Sequence, residues 1–144
     1  MEYASIILDP VTQKKRRELE MVQRRAACFV TGDYRSTSSV TQMLKALQWT
    51  ELQQRRKRAK VIMLYRIVNY LVAISPEPYL IPRGVALTTR GHDPRFLLPY
   101  SRIQSHQQSF FSSAIRLWSE LPTAVVTAST LEGFKDSLQT AAIY

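Results

Sequence analysis

The sequence predicts a mainly α-helical fold: a single compact domain of about five helices, with a long irregular proline-containing loop and at most short strands. Three observations carry this expectation. Apolar residues recur at helical spacing in several segments, a Ser/Thr followed three residues later by Gln/Glu marks three helix starts, and Pro76, Pro78 and Pro82 break the pattern mid-chain. With 144 residues and 45% hydrophobic content, the chain has enough apolar material for a real core and an ordinary globular composition.

Taken in order, residues 1–10 form a short apolar segment, Tyr3 to Leu8, stopped by Asp9-Pro10. Residues 11–74 form a basic helical part. Its first helix runs from about Val11 to Val30, and an advance of 100° per residue gathers Leu19, Val22, Ala26, Phe29 and Val30 on one packing face, with Lys14, Arg17 and Arg24 opposite. Thr31-Gly32-Asp33 ends it, because glycine tolerates the left-handed backbone of a helix C-terminus. Ser39 with Gln42 opens a short helix carrying Val40, Met43, Leu44 and Leu47, and Thr50 with Gln53 opens the longest helix, reaching about Ala73. The first half of that helix is densely basic and should project towards solvent or a partner. Its second half, Val61 onwards, is apolar on nearly all sides and should be the central core element, with Trp49 as an anchor where the two helices meet.

Residues 75–109 form the irregular region, in which Phe96 to Tyr100 is a short strand or an extended packing segment. The C-terminal helical part, 110–144, holds a helix from about Phe111 to Leu121 with Phe111, Ile115 and Trp118 on one side. A last helix, opened by Ser129 with Glu132, carries Leu131, Phe134 and Leu138. The hydroxyl and the Gln/Glu of each box satisfy free backbone N–H groups, a structural task and not a functional one.

Charge is the strongest functional signal. The net charge is +9, and it is one-sided: residues 1–70 hold 14 Lys/Arg against 6 Asp/Glu, whereas residues 71–144 hold 6 against 5. A basic half beside a neutral half suits a polyanion, with nucleic acid first among candidates. The candidate residues are Lys14, Lys15, Arg16, Arg17, Arg24, Arg25, Arg55, Arg56, Lys57, Arg58 and Lys60. Arginine forks grip phosphate oxygens with paired hydrogen bonds, positioning a nucleic acid without reading its sequence. The plainer alternative is that these residues pair with Glu18, Glu20 and Glu51 or simply hold water.

Other chemistry finds little support. A single cysteine, Cys28, rules out an internal disulfide and any cysteine-rich zinc site, and reads as a small core or helix residue rather than a nucleophile. His92 and His106 are too far apart for a one-turn metal pair. Arg90-Gly91-His92-Asp93 resembles a catalytic loop only superficially, since no nucleophile accompanies it; a turn is the simpler reading. Phe110, Phe111 and Trp118 sit at helical spacing, which favours core over base stacking. No metal, cofactor or small-molecule substrate is expected. Glu2 is acidic and the apolar run after it is brief, and Val61 to Ile74 is interrupted by Arg66 and Asn69, so neither a secretory signal nor a membrane span is expected and the expected location is intracellular, nucleus or cytoplasm.

Leu19 to Val40 also bears a family resemblance, running from a basic amphipathic helix through Gly32-Asp33-Tyr34 into a Ser/Thr-rich helix start. Further matches follow in order: Glu2-Tyr3-Ala4-Ser5 with Asp9-Pro10, Thr89 to Asp93, Ser109-Phe110-Phe111, Ile115 to Trp118, Leu121-Pro122, and Leu131-Glu132 with Phe134-Lys135. Together they resemble the segment after the reverse transcriptase thumb in polyproteins of jockey-like non-LTR (LINE-like) retrotransposons. The family's polymerase holds its two metal ions with a pair of adjacent aspartates. This chain has no adjacent acidic pair, and Met1 falls where the family's chain is already under way. The resemblance therefore implies a non-enzymatic remnant whose basic helices hold RNA or DNA non-specifically. Its alternatives are a structural or protein-interaction domain docking on the rest of the polyprotein, or an inert fragment. A helix-turn-helix sequence reader is weaker, since nothing marks a base-reading set at the start of the long helix.

Overall fold

A computed structural model of the chain describes residues 6, 9–10, 12–35, 37–82 and 95–140. The fold is mainly helical. The described residues form α1 (Gln13–Thr31), α2 (Val40–Ala46), α3 (Leu52–Val68), α4 (Gln104–Gln107), α5 (Phe110–Ser119), α6 (Thr123–Val126) and α7 (Leu131–Thr140). The five expected helices are α1, α2, α3, α5 and α7, while α4 and α6 are single turns. Extended pairing among the described residues amounts to one antiparallel bridge, Pro82 with Phe96, where the Leu97 N–H donates to the Ile81 carbonyl at 2.8 Å.

Helix α3 is the hub, with α1, α5 and α7 packed against it. Its second half is apolar on most sides, so it can be surrounded. Val61, Leu64, Tyr65 and Ile67 are buried there against Ile115 and Trp118 of α5 and Phe134 and Leu138 of α7. The Tyr65 and Phe134 rings stack at 4.3 Å between centroids, and the Tyr65 hydroxyl donates to the Ala128 carbonyl at 2.8 Å. A large aromatic body with its one polar atom satisfied is the arrangement that lets tyrosine sit in a core. Phe110, Phe111 and Trp118 are core residues as expected: Trp118 is buried, and the half-buried Phe111 stacks on Tyr79 at 4.3 Å.

A second, smaller cluster joins α1 to α2 through Ala27, Met43 and Leu44, with Cys28, Val40 and Leu47 around it. Here the structure corrects the expected packing face of α1. The buried residues are Gln23 and Ala27, not Val22, Ala26, Phe29 and Val30, which all face solvent. The true contact face lies roughly one residue's advance, about 100°, from the apolar stripe. Polar contacts set this rotation. Gln23 Nε2 donates to the Thr50 carbonyl at 2.9 Å, and Glu20 Oε1 accepts from the backbone N–H of Gln53 at 2.9 Å. An acidic side chain from α1 thus satisfies a free N–H at the start of α3, where negative charge is favoured.

The capping boxes are corrected as well. Neither Ser39 nor the start of α3 makes a side-chain cap; α3 begins after Glu51, and its cap comes from Glu20 instead. At α7, the hydroxyl of Thr130, not Ser129, accepts the Gly133 N–H at 3.2 Å. The helix starts were legible because hydroxyls and amides favour such junctions, but the reciprocal pairs do not form. Trp49 is 37% exposed and belongs to neither core cluster; its backbone N–H closes α2 on the Leu44 carbonyl at 2.8 Å.

The first three helices end in the same way. Gly32 takes the left-handed conformation (φ 66°) after α1, as expected. Gln48 and Tyr70, both at φ 54°, do the same after α2 and α3. At each, a backbone N–H beyond the turn reaches back to the last helical carbonyls, Trp49 to Leu44 and Leu71 to Arg66. α3 therefore stops at Val68, short of the expected Ala73, because the chain turns left-handed at Tyr70.

Candidate nucleic-acid interface

Helix α1 carries five of the nine Lys and Arg residues that are exposed among the described residues. Lys14, Lys15, Arg17, Arg24 and Arg25 are exposed and make no ion pair with any described residue. At 100° per residue, Arg24, Arg17, Lys14 and Arg25 fall within about one 100° sector, and Lys15 lies beyond it. Arg16 does not join them. It is half-buried, its Nε donating to the Pro10 carbonyl at 2.9 Å and its Nη2 to Gln108 Oε1 at 3.3 Å.

The α3 candidates behave differently. The expected projection into solvent is corrected for two of them, because Arg56 and Lys60 are buried. Lys60 Nζ meets Asp9 Oδ2 at 2.6 Å and Ser113 Oγ at 3.1 Å, and Arg56 Nη1 lies 3.9 Å from Asp9 Oδ1. A buried ammonium is costly unless a carboxylate and further hydrogen bonds replace its water, and Asp9 with Ser113 does this. Arg58 is half-buried with its Nη2 on the Lys135 carbonyl at 3.2 Å, and Arg55 and Lys57 are half-buried and engaged in interactions of their own. The two basic clusters are thus not presented alike: α1 offers most of its charge to solvent, and α3 turns two of the five cations between Arg55 and Lys60 inside.

Sequence reasoning missed Asp9 as the partner of that buried pair. It lies 51 residues from Lys60, and no local pattern links them. A weaker signal was present: Arg56 and Lys60 stand one turn apart in line with Leu52 and Leu64, both buried. Of the three glutamates expected to pair with the basic residues, Glu20 instead caps α3.

Elsewhere, Asp33 holds Arg35 at 3.1 Å and accepts from Ser38 Oγ at 2.6 Å. The hydrogen bond from Arg35, then that from Ser38, keeps the Asp33 carboxyl well below the usual carboxylate range. Both residues shape the turn after α1. Val68, Tyr70, Pro76, Leu80 and Phe96 line an open apolar cleft of about 430 Å³, where Tyr70 Oη donates to Glu77 at 2.7 Å. Among the described residues no group of three His, Cys, Asp or Glu side chains is placed to hold a metal ion, and no helix is long and apolar enough to cross a membrane. The Arg90-Gly91-His92-Asp93 sequence lies outside the described residues. Comparison of the chain with protein-family models, curated proteins and solved structures finds no match.

Proposed function

We propose that this chain is a non-catalytic helical domain that binds RNA or DNA weakly and without sequence preference through the solvent face of α1. One observation carries the reading: five exposed cations with no ion pair to any described residue stand along a single 19-residue helix. Such a row neutralises phosphates and releases their counterions, which supplies affinity but no base discrimination. The resemblance to the segment after the thumb of jockey-like retrotransposon polyproteins supports a role as a remnant of that polyprotein. The missing adjacent acidic pair supports the absence of polymerase chemistry.

An anisotropy titration with labelled RNA and duplex DNA tests this. Four phosphate contacts would weaken binding about 100-fold between 50 and 200 mM salt. No binding at the lower salt would remove the reading. The rival, a protein-interaction domain, draws on a separate observation: the apolar stripe that α1 turns outwards.

A further inference from the structure

Val22, Ala26, Phe29 and Val30 stand at i, i+4, i+7 and i+8 on α1, the spacing of a helix-packing seam, yet they face solvent. Phe29 is 76% exposed, Val30 57% and Val22 42%, while the helix meets its own domain through Gln23 and Ala27. From Val22 to Val30 the seam is about 12 Å long at 1.5 Å per residue, two helical turns. That length suits the i, i+4, i+7 anchors of a helix laid alongside, with Phe29 as the aromatic anchor near its C-terminal end.

The charges beside the seam identify the occupant. Arg25 borders it on the side away from the core, Lys14 and Lys15 extend the same strip about two turns before Val22, and Glu18, one turn before Val22, is the one acid of α1 on that margin. A second copy of this chain would bring another net charge of +9 against this basic margin. We propose that the outward seam of α1 docks an amphipathic helix of a partner protein whose apolar face is flanked by Asp and Glu. The apolar contact supplies the anchor, and the opposed charges set the orientation and reject basic helices. This goes beyond the nucleic-acid reading and does not depend on it.

The test uses the full chain and two synthetic amphipathic helices with identical apolar faces, one flanked by Glu and one by Lys. The Glu-flanked helix is expected to bind at least ten-fold more tightly than its twin. The double variant Val22→Ser, Phe29→Ser should lose at least ten-fold for it while nucleic-acid affinity is unchanged. Since both side chains are exposed, helix content by circular dichroism should hold. As a second variant, Lys14→Glu with Arg25→Glu should shift preference towards the Lys-flanked helix. No binding of the Glu-flanked helix, equal binding of the two, or indifference to either variant would overturn the proposal. So would Phe29-dependent binding to phosphatidylserine vesicles, which would assign the seam to a lipid surface, or a Phe29-dependent dimer.

Discussion

Glu20 Oε1 accepts the backbone N–H of Gln53 at 2.9 Å, so a side chain of α1 performs the capping of α3. N-terminal caps contribute about 1 kcal/mol, and a carboxylate at a helix start adds a favourable charge. Glu20→Ala should therefore cost about 1 kcal/mol of stability in urea denaturation, and Glu20→Gln less. An unchanged midpoint for Glu20→Ala would show that solvent serves Gln53 equally well.

Asp9 has a larger task. Its carboxylate holds both Lys60 and Arg56, whose side chains are 5% and 9% exposed. Removing one partner of a buried pair leaves the other charge uncompensated, at about 3–5 kcal/mol for fully buried pairs. Asp9 is itself partly exposed, so Asp9→Ala should cost about 2–3 kcal/mol. Lys60→Met in the same background should recover much of that loss. A double variant no more stable than the single one would refute this account of the pair.

Gln48 holds a left-handed backbone at φ 54°. A side chain there costs about 1–2 kcal/mol, offset in part by the greater unfolded-state freedom of glycine. Gln48→Gly should raise stability by about 0.5–1 kcal/mol, read as a shift in thermal midpoint.

The exposed and buried cations should respond in opposite ways. Arg17, Arg24 and Arg25 replaced by Ala should weaken RNA binding and flatten its salt slope by about 3, with folding stability near that of the parent. Arg56→Ala should lower stability and leave the salt slope alone, because its guanidinium is turned inwards to Asp9. A loss of binding from Arg56→Ala with stability intact would contradict the assignment.

Asp33 provides a pH prediction. Arg35 and Ser38 lower its carboxyl in the folded chain, so the folded state binds this proton less readily than the unfolded one. Its contribution is present above the ordinary carboxylate range and is lost only as pH falls below it. The carboxyl resonance of Asp33, followed by NMR, should titrate well below the ordinary aspartate range. Titration within that range would show that the hydrogen bonds from Arg35 and Ser38 do not persist in solution.

The helices were legible because period and breakers are local. The apolar second half of α3, the aromatic face of α5 and Gly32 each announced their place. What escaped was long-range. The stripe of α1 pointed to one face, but Gln23 and Glu20 bind the start of α3 and turn the helix by about a residue's advance. Charge made Arg56 and Lys60 look like surface residues, and only the return of Asp9 to the side of α3 shows otherwise. The basic row of α1, Arg16 apart, is exposed and makes no ion pair with any described residue.

The α1–α2 pair is built on its own small cluster of Ala27, Met43 and Leu44, apart from the core that surrounds Tyr65 and Trp118. Its polar attachments to the rest of the chain include Glu20, Gln23 and Arg16. Units with few buried contacts open before the global transition. The α1–α2 pair is therefore a latch, able to swing free and close again while the helices behind it stay folded, and its amides should exchange with solvent long before those of α3.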